Sequence, residues 1–347
     1  MQNNIMTIFS RFFGRPHHQL FYSSLFISLL SVSAAQAEPP ELSLPIDCII
    51  GETCWLTNFV DRDPGPKHQD YRCGGISYNT HKGTDIALAN DVVMQAGVSV
   101  LAAAPGRVTR VRDGEPRSTL KDLQSATALR GRECGNGLVI DHGDDWTTQY
   151  CHLMSGSLSV AVGDTVRRGD KLGQVGRSGR TKFPHIHLSV RKGKTVIDPF
   201  TGDSSTRQCN TQPPLKGLWA EPLKQSLSYP GPQPFHLGFS NSVPKIDDVR
   251  AGKLSETEFD ATSPALVFWV ESYSLAKGDQ VSLSLLGPNN EVIAKSNAVL
   301  GRPFARAYRF TGRKRRGSAW DVGAYKAHVS ITRGDQTISK SATAYLK

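Results

Sequence analysis

Two histidines, His185 and His187, stand one residue apart in the stretch FPHIHLSV, residues 183 to 190. The stretch reads as a β-strand, in which residues i and i+2 share a face and lie roughly 6.6 Å apart along the chain. Two imidazoles looking the same way are compatible with a structural accident, a proton relay or part of a metal site. Upstream, NTHKGTDIAL (79 to 88) carries His81 and Asp85 in an H-x-G-x-D arrangement. Imidazole nitrogen and carboxylate oxygen are both good zinc ligands. Four positions of straight strand would hold the two roughly 13 Å apart, so both reach one ion only if the chain bends, and Gly83 stands where a bend is wanted. A third element, QYCHL (149 to 153), carries His152. Taken singly, the H-x-G-x-D pattern and His152 read more readily as a turn-capping aspartate with an exposed histidine and as an ordinary partly buried histidine.

The elements that must position these residues are short and β-type. GLVIDHG (137 to 143) and WTTQYCHL (146 to 153) read as two strands around a tight turn. Folding that hairpin brings Cys134 towards Cys151 and makes them the best-argued disulfide. Of the other cysteines, Cys48 and Cys54 close a small loop, and Cys73 pairs with Cys209 by elimination. Helical periodicity is confined to 117 to 130, an insertion between strands. From 201 to 234 six prolines mark an extended, semi-rigid linker. Beyond it, short strands over 265–270, 279–287, 291–296, 304–310, 323–333 and 337–346 have the spacing of an antiparallel β-sandwich of immunoglobulin-like type. Within them Val281, Leu283 and Leu285 alternate with Ser282 and Ser284, as in a strand with one buried face.

Taken as an ordered set, H-x3-D, a lone histidine after a Gly-rich hairpin, then H-x-H behind GQVGRSG (173 to 179), the chain resembles the lysostaphin-type (LytM-like) zinc metalloendopeptidases that cut peptidoglycan cross-bridges. The resemblance covers roughly residues 76 to 200 and includes GVSVLAAAPGRVTRV (97 to 111), GNGLVIDHG (135 to 143) and VGDTVRRGDKLGQVGRSG (162 to 179). It implies an all-β fold with an antiparallel metallopeptidase core over 38–200, one zinc ion held by His81, Asp85 and His187, and His152 with His185 as the pair beside the zinc-bound water. Three protein ligands plus water also describe a catalytic rather than a structural zinc site. His142 is expected to serve the hairpin turn, and His68, His236 and His328 have no metal-like neighbours. Tyr150 and Trp146 are expected to pack, and RKRR (313 to 316) to be a solvated loop.

The first 37 residues combine Arg11 and Arg15, the apolar run LFYSSLFISLLSV (20 to 32) and an A-x-A-like end at Ala37. This is the pattern of a secretory signal, too short for a membrane span. An exported, periplasmic or extracellular protein is therefore expected. Its net charge is +8, since residues 1 to 37 account for two of the +10 and hold no acid. Such a charge favours anionic wall or envelope polymers, while export argues against nucleic acid. The leading reading is a peptidoglycan endopeptidase. The alternatives are a catalytically inactive regulator of another wall hydrolase, a secreted protease acting on proteins, and a carrier module, to which VGDTVRRGDKLGQVG also bears a likeness. Every candidate ligand precedes residue 201, so 235–347 is expected to fold separately as an accessory domain.

Overall fold

Eighteen strands carry the described chain, and four helices of five or six residues punctuate it. The computed structural model describes Gly14 and residues 38–125, 127–210 and 217–347; the expected secretory segment, 1 to 37, lies outside the described residues apart from Gly14. Residues Ala37–Lys347 form one compact unit. The first ten strands are β1 (Cys54–Asn58), β2 (Thr84–Leu88), β3 (Ser99–Leu101), β4 (Gly106–Arg112), β5 (Asn136–Asp141), β6 (Trp146–Leu153), β7 (Thr165–Val166), β8 (Lys171–Gln174), β9 (His185–Lys192) and β10 (Thr195–Ile197). Eight of them form one antiparallel sheet in the order β1-β2-β9-β6-β5-β4-β7, with β10 on β9, while β3 and β8 pair separately. The expected hairpin is β5–β6, with Asp141 opposite Thr147. The helix-compatible stretch 117 to 130 is helical only over Leu120–Gln124.

One face of the large sheet is apolar because its strands alternate. Ile86, Leu188, Tyr150, Leu138 and Val108 all point into a core that Val100, Leu172 and Val175 close from the β3–β8 side. The other face carries Asp85, His187 and Cys151, which are neighbours across β2, β9 and β6. Trp146 and Tyr150 belong to the core, as expected of strand aromatics. Leu218, Trp219 and Leu227, from the proline-rich stretch, also pack into this core. Disulfides join Cys48 to Cys54, Cys73 to Cys209 and Cys134 to Cys151.

The remaining strands are β11 (Gln233–Ser240), β12 (Glu258–Phe259), β13 (Ala265–Leu275), β14 (Gln280–Leu286), β15 (Val292–Val299), β16 (Phe304–Lys314), β17 (Gly323–Arg333) and β18 (Gln336–Leu346). They form a three-stranded sheet, β11-β13-β16, and a five-stranded one, β12-β18-β17-β14-β15, in which only the β12–β18 pair is parallel. Val281, Leu283 and Leu285 face the core between these sheets together with Phe268, Val329 and Ile331. Arg313 and Lys314 of RKRR close β16 rather than lying in a loop. A third, small cluster of Trp55, Ala87, Phe235 and Tyr273 joins β1 and β2 to β11 and β13. The two sheet systems thus meet directly behind the strand that bears Asp85.

Candidate metal centre and catalytic residues

The register of β2, β9 and β6 fixes the site. Asp85 lies opposite His187, and Cys151 flanks His187 on the other side. His81 arrives from the turn before β2. The side chains converge: His81 Nε2 is 3.1 Å from Asp85 Oδ1 and 3.1 Å from His187 Nδ1, and His187 Nδ1 is 2.8 Å from Asp85 Oδ1. A tetrahedral zinc with bonds of 2.0–2.1 Å separates its ligand atoms by about 3.3 Å, so these spacings are of the right size.

The donor set fits a cation for a chemical reason as well. A backbone carbonyl only accepts, so the 2.6 Å contact between His81 Nδ1 and the Phe59 carbonyl places the proton on Nδ1 and turns the Nε2 lone pair inward. Asp85 is buried, and among the described residues its carboxylate makes no ion pair with lysine or arginine; its ionic neighbours are His81, His185 and His187. Asp85 Oδ2 accepts from Asn58 Nδ2 at 2.9 Å, which leaves Oδ1 for the shared point. Burial would raise the Asp85 pKa, but the surrounding histidines outweigh it and hold the group well below the usual carboxylate range. Burial likewise opposes a charged His81, and Asp85 outweighs it, raising that pKa.

Gly83 is needed for space. The expected bend would call for a special backbone conformation, yet Gly83 is not among the positive-φ glycines. A β-carbon there would stand 2.6 Å from His187 Nε2 and 2.6 Å from the Leu188 carbonyl oxygen. The residue in the left-handed region is Thr80, φ 65°, whose N–H donates to Asp61 Oδ2 at 2.8 Å. Asp61 therefore anchors the turn that delivers His81.

His152 and His185 sit side by side, ring centroids 4.6 Å apart. His152 Nδ1 donates to the Ser178 carbonyl at 2.8 Å, and His185 Nδ1 lies 3.0 Å from both the Phe183 carbonyl and Thr181 Oγ1. Both rings therefore turn Nε2 away from these anchors, and His185 Nε2 comes within 3.6 Å of Asp85 Oδ1. Burial pushes both pKa values below the ordinary histidine value, well below for His152, where the neighbouring His185 and His187 add to the effect. Both are thereby kept neutral at neutral pH. His152 also has φ 68°, a conformation that costs a non-glycine residue on the order of 1–3 kcal/mol. Its N–H donates to the Cys134 carbonyl at 2.8 Å, so the Cys134–Cys151 disulfide sits where it restrains this strained residue.

All five residues singled out in the sequence come together here. Asn58, Asp61, Ser178 and Thr181 were not singled out as site residues, although Ser178 lies within the GQVGRSG stretch. His142 serves the hairpin as expected, with Nδ1 donating to the Pro105 carbonyl at 2.6 Å and Nε2 2.8 Å from Thr148 Oγ1. The site opens into a cleft of about 570 Å³ lined by Tyr78, His81, His152, His187, Arg180 and Arg191 among others.

Support also comes from β13 and β16. The Arg306 guanidinium lies 4.8 Å from the Phe183 ring centroid, 5.1 Å from that of Phe235 and 5.4 Å from that of Tyr273. Phe183 supplies the carbonyl that anchors His185. The C-terminal strands therefore press on the segment that sets the His185 ring.

Residues 79–199 match the sequence model described as Peptidase family M23. Over 103 residues the chain is 33% identical to an uncharacterized metalloprotease of Buchnera aphidicola subsp. Baizongia pistaciae (strain Bp), covering 30% of this chain and 26% of that protein. It is 29% identical over 123 residues to the peptidoglycan DD-endopeptidase ShyB of Vibrio cholerae serotype O1, covering 35% and 23%. It is 31% identical over 123 residues to the murein hydrolase activator NlpD of Escherichia coli (strain K12), covering 35% and 26%. The matched stretch thus spans about a quarter of the length of these relatives.

Proposed function

We infer that this chain, whose residues 79–199 belong to Peptidase family M23, is an exported zinc metalloendopeptidase that hydrolyses peptide cross-links of peptidoglycan. The observation that carries the reading is the convergence of His81 Nε2, Asp85 Oδ1 and His187 Nδ1 within 3.1 Å of one another, with two neutral histidines beside them. His81, Asp85 and His187 would hold the zinc. When bound there, zinc polarises a scissile carbonyl and makes water acidic enough to attack at neutral pH.

The chain's own residues do the rest. His152 and His185 have their Nδ1 protons committed to the Ser178 carbonyl and to the Phe183 carbonyl or Thr181 hydroxyl, so each offers Nε2 as a proton acceptor. An imidazole that takes a proton in this way hydrogen-bonds the oxyanion while it holds that proton and then donates it to the leaving amine. Asn58 and the Phe59 carbonyl orient Asp85 and His81, and partners of this kind fix ligand tautomers in metal sites. Residues 235–347, in this reading, are an accessory domain that also braces the catalytic segment through Arg306. The relatives named as DD-endopeptidase and metalloprotease support the reaction class.

A regulatory role is the second reading, and the similarity to the activator NlpD favours it. The complete set of five residues weighs on the side of activity. The test is mass spectrometry of fragments released from purified peptidoglycan, with and without chelator. Zinc-dependent release of peptide fragments is expected. Absence of release by folded, zinc-loaded protein would favour the regulator.

The described residues contain no helix long and apolar enough to cross a membrane. Export, to the periplasm or the cell exterior, is part of the proposal and rests on the pattern of residues 1 to 37.

A further inference from the structure

The open face of the large sheet continues beyond the metal site. A groove of about 790 Å³ runs over β4, β5, β6 and β9 and shares Arg112, Cys134, Gln149 and Arg191 with the catalytic cleft. Its lining includes the neutral Thr147, Gln149 and Val139 and the cations Arg110, Arg112 and Arg191. Arg180 and Lys82 add two more cations at the end nearest the metal ligands. The acids lining the two spaces are Asp141 and Glu133.

Several arginines elsewhere in the molecule have carboxylate partners. Arg62 pairs with Asp198, Arg117 and Arg177 with Asp91, Arg132 with Glu115, and Arg333 with Asp279. Among the described residues Arg110, Arg180 and Arg191 form no ion pair, and Arg112 donates only to the Gly131 carbonyl, at 3.3 Å. Arg191 is half-buried, and burial lowers its pKa with no carboxylate to offset the cost. Cations that outnumber the acids along one groove and lack carboxylate partners attract an anionic occupant, and low-dielectric walls focus that field.

We propose that this groove selects peptide substrates bearing free carboxylates, and that Arg110 and Arg191 are specificity determinants for them. The inference rests on the peptidase reading above. Geometry sets the position: Arg191 is four residues beyond His187 on the same face of β9, which is roughly 13 Å. A peptide extended along the strand with its scissile bond at the metal site therefore brings a carboxylate about four residues away under Arg191. A carboxamide at that position removes the charge while keeping the shape.

The test uses two fluorescent peptides, identical except that the side-chain carboxylates of one are carboxamides in the other. Their binding and cleavage are measured on the full chain and on an Arg110→Gln/Arg191→Gln variant with matched zinc content. An exposed ion pair is worth about 0.2–1 kcal/mol, so two of them correspond to a preference of roughly two- to thirtyfold in KM for the carboxylate peptide. That preference should shrink at high salt and fall to near one in the variant. Equal KM values for the two peptides, or a preference unchanged in the variant, would overturn the inference and leave the peptidase reading standing. Charge-dependent binding that the variant loses, without cleavage by the full chain, would uphold the groove and overturn the peptidase reading instead. Equal inhibition of both cleavages by inorganic polyphosphate, with no difference between the peptides, would mark a general polyanion surface and also overturn it.

Discussion

Two buried polar clusters sit back to back in this molecule, and their charges are balanced in opposite ways. Around Glu271, on β13, the carboxylate receives Arg306 Nε at 2.7 Å and Arg250 Nε at 3.2 Å, with Arg306 Nη2 in contact and His236 Nδ1 3.8 Å away. Around Asp85, on β2, the partners are the Asn58 amide and three histidines, of which His81 and His185 have their Nδ1 protons committed elsewhere and present Nε2 lone pairs. The first cluster supplies its own cations for the carboxylate. The second gathers acceptors at one point and calls for a cation from outside the side chains. Burial alone therefore does not separate a structural polar cluster from a catalytic one; the balance of donors and acceptors does.

The most severe way to break the catalytic cluster is His187→Ala. In the proposed reading it removes one of three zinc ligands, and both zinc content and peptidoglycan cleavage should fall to background, checked by elemental analysis and fragment release. Next in size come His152→Ala and His185→Ala. Each removes a proposed acid–base group and should slow cleavage by about 10²- to 10⁴-fold while zinc stays near one per chain. Cleavage unaffected by either change would contradict the proton-transfer role.

The structural cluster is probed by Arg306→Met. The change leaves Glu271 under-compensated and takes the cation off Phe183, so chemical denaturation should show a loss of about 3 kcal/mol. Cleavage by the folded variant should drop by less than in His185→Ala, with zinc retained, because the His185 ring is displaced rather than removed. A smaller effect concerns pH. Burial alone would raise the Glu271 pKa, but Arg306, aided by His236 and Arg250, brings it from 4.5 down to about 2. A carboxylate depressed in the folded state stabilises fully above its unfolded pKa, and the contribution is lost as pH falls from about 4.5 towards 2. Thermal melts of the wild type should fall across that window, and Glu271→Gln should flatten that part of the curve.

How much of this was legible in the sequence follows from the range of each interaction. H-x-H and H-x3-D are local patterns, and strand alternation places His185 and His187 on one face without knowledge of the fold. The hairpin that pairs Cys134 with Cys151 is equally local. Asn58 and the Ser178 carbonyl were not legible, because their roles depend on which strands become neighbours. Gly83 was legible as necessary but for the wrong reason: the need comes from His187 on β9, over 100 residues away. The strand Ala265–Leu275 was read only to residue 270, since Glu271, Ser272 and Ser274 look like an exit from the core. All three are buried, and Glu271 is compensated there because β16 and the helix Ile246–Arg250 supply Arg306 and Arg250 to it. Pro234 signalled a linker, yet it falls at the start of β11, a position at a strand end that proline tolerates.

Zinc bound per chain, measured by elemental analysis on folded wild-type, His185→Ala and His187→Ala proteins after identical dialysis, tests the division of labour within FPHIHLSV most directly. The account predicts near one, near one and well below one, in that order. Retention of zinc by His187→Ala together with its loss from His185→Ala would contradict it.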